Sequence, residues 1–75
     1  MITNTNEPRI RQITNLAYAI NRMTTAINTM HRATNNLTMA GEGFSNLADE
    51  SAKLRNRIKD LQNEAMERLK ALRDQ

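Results

Sequence analysis

The sequence predicts an all-α protein: a two-helix antiparallel hairpin, coiled-coil-like, that assembles into a homo-oligomeric helical bundle. Three observations predict it. A heptad pattern runs from Ile13 to Leu37, two glycines break the chain at Gly41 and Gly43, and a second apolar seam of similar length follows.

Residues 1–7 read as a flexible N-terminal arm. Thr5 or Asn6 can cap a helix, and Pro8 suits its first turn, where the missing N–H has no partner to lose. The first helix is expected over about residues 8–40. Ile13, Leu16, Ile20, Met23, Ile27, Met30 and Leu37 are spaced by alternating threes and fours, with Thr34 in the one skipped place. That spacing puts Ile13, Ile20, Ile27 and Thr34 at heptad position a, and Leu16, Met23, Met30 and Leu37 at d. Met23 and Met30 are flexible core fillers there. Ala19, Ala26, Ala33 and Ala40 recur at g. Small residues beside a seam let backbones approach, so this column reads as a second contact edge where an ordinary coiled coil carries Glu or Lys. Asn21, Asn28 and Asn35 form a b column, a solvated polar face or an amide ladder for a partner.

Residues 41–45 are the expected turn, with Gly41 placed as a left-handed cap. Ser45 or Asn46 then caps a second helix over about residues 46–73, whose first turn holds Asp49 and Glu50. Its expected seam is Leu47, Ser51, Leu54, Ile58, Leu61, Ala65 and Leu72, with Arg68 in the eighth place. Asp49 with Lys53, and Glu64 with Arg68, are spaced for i,i+4 ion pairs. The two helices come to about 50 and 42 Å at 1.5 Å per residue. Near-equal lengths around a glycine turn favour a hairpin over its rival, one continuous rod whose heptads cross the turn with a three-residue stammer. Each glycine would cost that rod about 1 kcal/mol.

Composition points to assembly. Seventy-five residues with Tyr18 and Phe44 as the only aromatics give one small core, and chains of this size usually need a staple. With no cysteine and a single histidine, disulfides, thiolate sites and a multi-histidine metal site are excluded. Oligomerisation remains. The expected interface comprises Ile13, Leu16, Ile20, Met23, Ile27, Met30 and Leu37, the alanines Ala19, Ala26 and Ala33, and Leu47, Leu54, Ile58, Leu61 and Leu72. Pairing two hairpins into a four-helix bundle would cover both the seam and the second edges.

The net charge of +3 sits in the first half: residues 1–40 carry four arginines against Glu7, while residues 41–75 balance. Candidate contacts to a partner or an acidic ligand are Arg9, Arg11, Arg22 and Arg32, with the denser set Lys53, Arg55, Arg57 and Lys59 on the second helix. The last four split into two stripes flanking Leu54 and Ile58, where their stems can cover apolar surface or their heads can meet phosphate. His31 at e is a rim or ligand position, and Tyr18 at f is a candidate contact point. Scarce aromatics argue against single-strand binding, and no helix-turn-helix spacing is visible.

No nucleophile–base pair, phosphate loop or paired acids offer catalysis, and no cofactor is implied. No apolar run approaches a membrane span, and the polar N-terminus does not resemble a secretory signal, so membrane insertion is not expected and the cytoplasm is the expected compartment. The chain therefore reads as a non-enzymatic oligomeric protein–protein interaction module: an inhibitor, adaptor or assembly factor of the size and composition of phage and mobile-element accessory proteins. Its partners are then itself and another protein. The alternative is a binder of nucleic acid, a nucleotide or another small phosphorylated ligand through basic residues near the oligomer interface.

Overall fold

The computed structural model describes residues 7–75. They form helix α1 (Glu7–Met39), a 3-10 turn (Glu42–Phe44) and helix α2 (Ser45–Arg73). The helices lie antiparallel in a slab with extents of 63 × 15 × 11 Å. The hairpin is therefore the observed shape, and the continuous rod is not.

α1 is rich in Thr and Asn, which favour turns over helix interiors because their side chains compete for backbone groups. Here four hydroxyls are turned back onto their own helix. Thr24, Thr25, Thr34 and Thr38 each donate to the carbonyl four residues earlier, at 2.8–3.4 Å. The competing donor is thereby used without breaking the helix. The expected caps Thr5 and Asn6, and nearly all of the expected arm, lie outside the described residues. Glu7 already belongs to α1 and places a carboxylate in its first turn, which the helix dipole favours.

The reversal is built at Gly41. Its φ of 117° and ψ of 175° lie in a region open essentially only to glycine. The positive φ was expected, but the extended ψ makes this a kink and not a left-handed helical cap. Ala40 N–H still bonds to Asn36 O at 3.0 Å and Gly41 N–H to Thr38 O at 3.3 Å, so the last turn of α1 is closed by its own backbone. Phe44 N–H then bonds to Gly41 O at 3.0 Å, and Ser45 N–H to Glu42 O. The 3-10 turn thus hands directly into α2. No side chain caps α2, contrary to the role expected of Ser45 or Asn46, because the turn already occupies the first free N–H groups.

The cross-helix hydrogen bonds set the register. They join Thr34 to Ser51, His31 to Arg55, Thr24 to Gln62 and Arg9 to Gln75. Residue i of α1 is thus level with about residue 85 − i of α2.

The α1 seam is as expected, with Ile13, Leu16, Ile20, Met23, Ile27, Met30, Thr34 and Leu37 all partly buried against α2. The α2 seam differs. Ser51, Ile58, Ala65 and Leu72 face α1, but the companion column is Ala48, Arg55, Gln62 and Leu69 in place of Leu47, Leu54, Leu61 and Arg68. Only Ala48, Ser51 and Leu69 are fully buried among the described residues, while Leu47, Leu54 and Leu61 are 55, 56 and 46% exposed. Both columns pair with Ser51–Ile58–Ala65–Leu72 at heptad spacing, so spacing alone allows either. Small Ala48 permits close approach beside the turn. Arg55 and Gln62 are long enough to reach polar groups on α1, which leucine cannot use.

Candidate interaction faces

In heptad terms α1 keeps a at Ile13 and its repeats, while in α2 Ala48, Arg55, Gln62 and Leu69 take a and Ser51, Ile58, Ala65 and Leu72 take d. The e positions of both helices then border one broad face of the slab and the g positions the other. Two surface depressions confirm the assignment. One, of about 280 Å³, joins Thr24 and Asn28 of α1 to Lys59 and Asn63 of α2, the e side. The other, an open groove of about 1050 Å³, joins Gln12 and Leu16 to Arg68 and Leu72 at the end remote from the turn, the g side.

The e side is closed by hydrogen bonds. Thr34 spends its one hydroxyl proton on Met30 O at 2.8 Å. Ser51 must therefore be the donor in the 2.7 Å contact between the two hydroxyls. Gln62 Nε2 donates to Ile20 O at 3.0 Å and to Thr24 Oγ1 at 2.7 Å. Arg55 Nη1 donates to His31 Nδ1 at 3.1 Å. That bond needs a neutral ring whose proton is on Nε2. Arg55 Nε is covered and has no partner. Beside these clamps the face is amide and cation: Asn21, Asn28 and Asn35 on α1, and Asn56, Lys59, Asn63 and Lys70 on α2, all exposed.

The g side has the opposite character. α2 presents Leu47, Leu54 and Leu61 in one column, with Phe44 at its head, itself 46% exposed. α1 presents Ala19, Ala26 and Ala33, half-buried, and Ala40, exposed. The expectation of an alanine contact edge thus meets a leucine column level with it on the neighbouring helix. Of the second edge expected on α2, Ala48 and Leu69 are instead in the seam, and Met66 is exposed at an e position.

The basic candidates do not gather. Arg9 Nη1 donates to the Gln75 carbonyl at 2.9 Å and ties the open end of the hairpin. Arg55 is bound into the seam. Lys53 sits 3.4 Å from Glu50, one residue along from its expected partner Asp49. Arg11 borders the open-end groove, while Arg22, Arg32, Arg57 and Lys59 are exposed at positions c, f, c and e. Of the two expected ion pairs, Glu64–Arg68 is present at 3.0 Å. Tyr18 is 61% exposed at an f position, pointing away from both faces. No three His, Asp or Glu side chains among the described residues converge as a metal site.

No known protein family, curated protein or solved structure matches the chain. No described helix is long and apolar enough to cross a membrane. The functional argument therefore rests on the two faces.

Sequence reasoning did not single out Gln62 or Thr24, which form the strongest clamp. The available signal was the seven-residue spacing of Ala48, Arg55, Gln62 and Leu69, overlooked because two of the four are polar.

Proposed function

We propose that this chain is a non-enzymatic helical interaction module that works as an oligomer and acts by docking helices on its apolar face, in the manner of a small inhibitor, adaptor or assembly factor. One observation carries this reading: the hairpin uses polar residues to zip its own helices and leaves its leucine column outside. A helix that served only this hairpin would do better with Leu54 and Leu61 in the seam than Arg55 and Gln62, because burying each leucine gains about 1.5–3 kcal/mol. Leucines left outside at regular spacing are those kept for another helix.

The dispersal of the cations supports this reading over an acidic-ligand binder. A phosphate site needs converging donors, and here two of the arginines are bound into the hairpin itself.

The test is sedimentation equilibrium with circular dichroism over a hundredfold range of concentration. The expected result is a mass that is a multiple of 8.6 kDa and a melting temperature that rises with concentration. A fully helical chain of 8.6 kDa, melting cooperatively and independently of concentration, overturns the proposal. Tight binding to nucleic acid that weakens steeply with salt would favour the alternative.

A further inference from the structure

We infer that the face bearing Ala26, Ala33, Leu54 and Leu61 is closed by the same face of a second copy, with both turns at the same end, giving a two-fold symmetric four-helix bundle. The inference rests on the reading of the chain as a self-associating module, and names the surface and its occupant.

The pattern of apolar columns comes first. A hairpin helix that meets one neighbour needs apolar residues at two heptad columns. A bundle helix that meets two neighbours needs a third, at e or g. Both helices here carry that third column at g: alanine on α1 and leucine on α2. Both columns border the same broad face. The opposite face carries asparagine and lysine, so the slab has one side for burial and one for water.

Area comes second. An outline of 63 by 15 Å gives a broad face of roughly 900 Å², against the roughly 800 Å² per partner of a stable protein interface.

Shape and charge then fix the orientation. In this register Leu54 is level with Ala33 and Leu61 with Ala26, within a residue or two. A two-fold axis along the length of the slab sets α2 of one copy over α1 of the other. Each leucine then enters the notch left by an alanine, the large-against-small alternation that fills a core. The rims agree. Position c of α1 carries Arg22, Thr29 and Asn36, and position c of α2 carries Glu50, Arg57 and Glu64. Across the interface Arg22 is level with Glu64 of the second copy, Thr29 with Arg57 and Asn36 with Glu50. No like charges meet, and the Arg22–Glu64 pair occurs twice by symmetry. Turning one copy end over end would instead stack leucine on leucine and leave alanine facing alanine across a gap.

The absence of native cysteine makes disulfide trapping clean. Leu54→Cys chains mixed with Ala33→Cys chains should form a mixed disulfide under mild oxidation, while Asn28→Cys chains, marking the opposite face, should not cross-link. Leu54→Glu should weaken association by at least about tenfold, because each dimer would bury two unpaired charges; Asn63→Glu should leave the mass unchanged. An oligomer that cross-links through Asn28→Cys, or through Leu54→Cys with Arg68→Cys as the end-over-end arrangement requires, overturns this inference and spares the reading beneath it. A wild-type mass of 8.6 kDa at every concentration overturns both.

Discussion

The hydroxyl pair between Thr34 and Ser51 is the most buried polar contact between the helices, and its contribution can be worked out bond by bond. Ser51 is 7% exposed and donates to Thr34 Oγ1 across 2.7 Å. Ser51→Ala removes the donor and leaves Thr34 still bonded to Met30 O. Thr34→Val keeps the shape, removes both bonds of that hydroxyl and leaves Ser51 without its acceptor. A net hydrogen bond of this kind is worth about 0.5–1.5 kcal/mol, and an orphaned buried group costs about 1–3 kcal/mol. Each single change should therefore destabilise by about 1 kcal/mol. The double change, which leaves no orphan, should cost much less than the sum, giving a coupling of about 1 kcal/mol.

Alanine is a better helix former than serine by a few tenths of a kcal/mol. That gain appears in both the single and the double variant and cancels in the cycle. The assay is thermal unfolding by far-ultraviolet circular dichroism, with all four proteins at one fixed concentration because assembly contributes to stability. For a chain of this size 1 kcal/mol corresponds to about 4–8 °C, well within reach. Strict additivity, with a coupling under about 0.3 kcal/mol, would refute the argument that this bond fixes the two helices.

Three other outcomes follow from the same geometry. Arg55→Leu should raise the melting temperature: a partly buried guanidinium with an orphaned Nε gives way to apolar surface, a replacement that is often neutral or stabilising; a clear drop would show that the His31 bond outweighs that cost. Gly41→Ala should lose about 1–3 kcal/mol from backbone strain alone, since nothing lies within 4 Å of an added methyl, whereas Gly43→Ala, where φ is ordinary, should gain about 0.4–1 kcal/mol; denaturant titration of the pair checks the contrast. Ile27→Asp places a charge in the middle of the seam and should abolish helicity and assembly together, and retention of both by circular dichroism and sedimentation would mean the seam is misplaced.

The hairpin itself was legible because it depends on strong periodic signals: the unbroken a and d columns of α1, and two glycines at the midpoint. The α2 seam was less so. Leucine at Leu47, Leu54 and Leu61 outweighs alanine, arginine and glutamine at Ala48, Arg55 and Gln62 in any hydrophobic count. Rotating α2 by about one residue costs that burial but lets Ser51, Arg55 and Gln62 reach Thr34, His31 and Thr24. Hydrogen-bond partners on the other helix are a pairwise property, and a single helix's periodicity does not contain them. Ion pairing shows the same limit: Glu64–Arg68 formed at its expected spacing, while Lys53 had two acids within reach and took Glu50. Of the candidate contacts, the alanine column was legible from its exact repeat, but its leucine counterpart followed only once the register was known.

The division of labour between the two columns of α2 has a physical consequence for folding. Polar contacts are directional and tolerate little displacement, so the Ser51, Arg55 and Gln62 bonds specify register and antiparallel pairing while adding only modest net stability. Leucine contacts are non-directional and contribute more per residue, but in the lone hairpin they point to water. A chain built this way has its register defined before association and most of its available stabilisation withheld until the outer face is covered. Folding and docking are then coupled, and whatever covers Leu47, Leu54 and Leu61 controls how much of the chain is folded at a given concentration. Exchanging Arg55 and Gln62 for leucine while making Leu54 and Leu61 polar would move the stabilisation inward. The result should be a hairpin that is more stable alone and has lost its ability to dock.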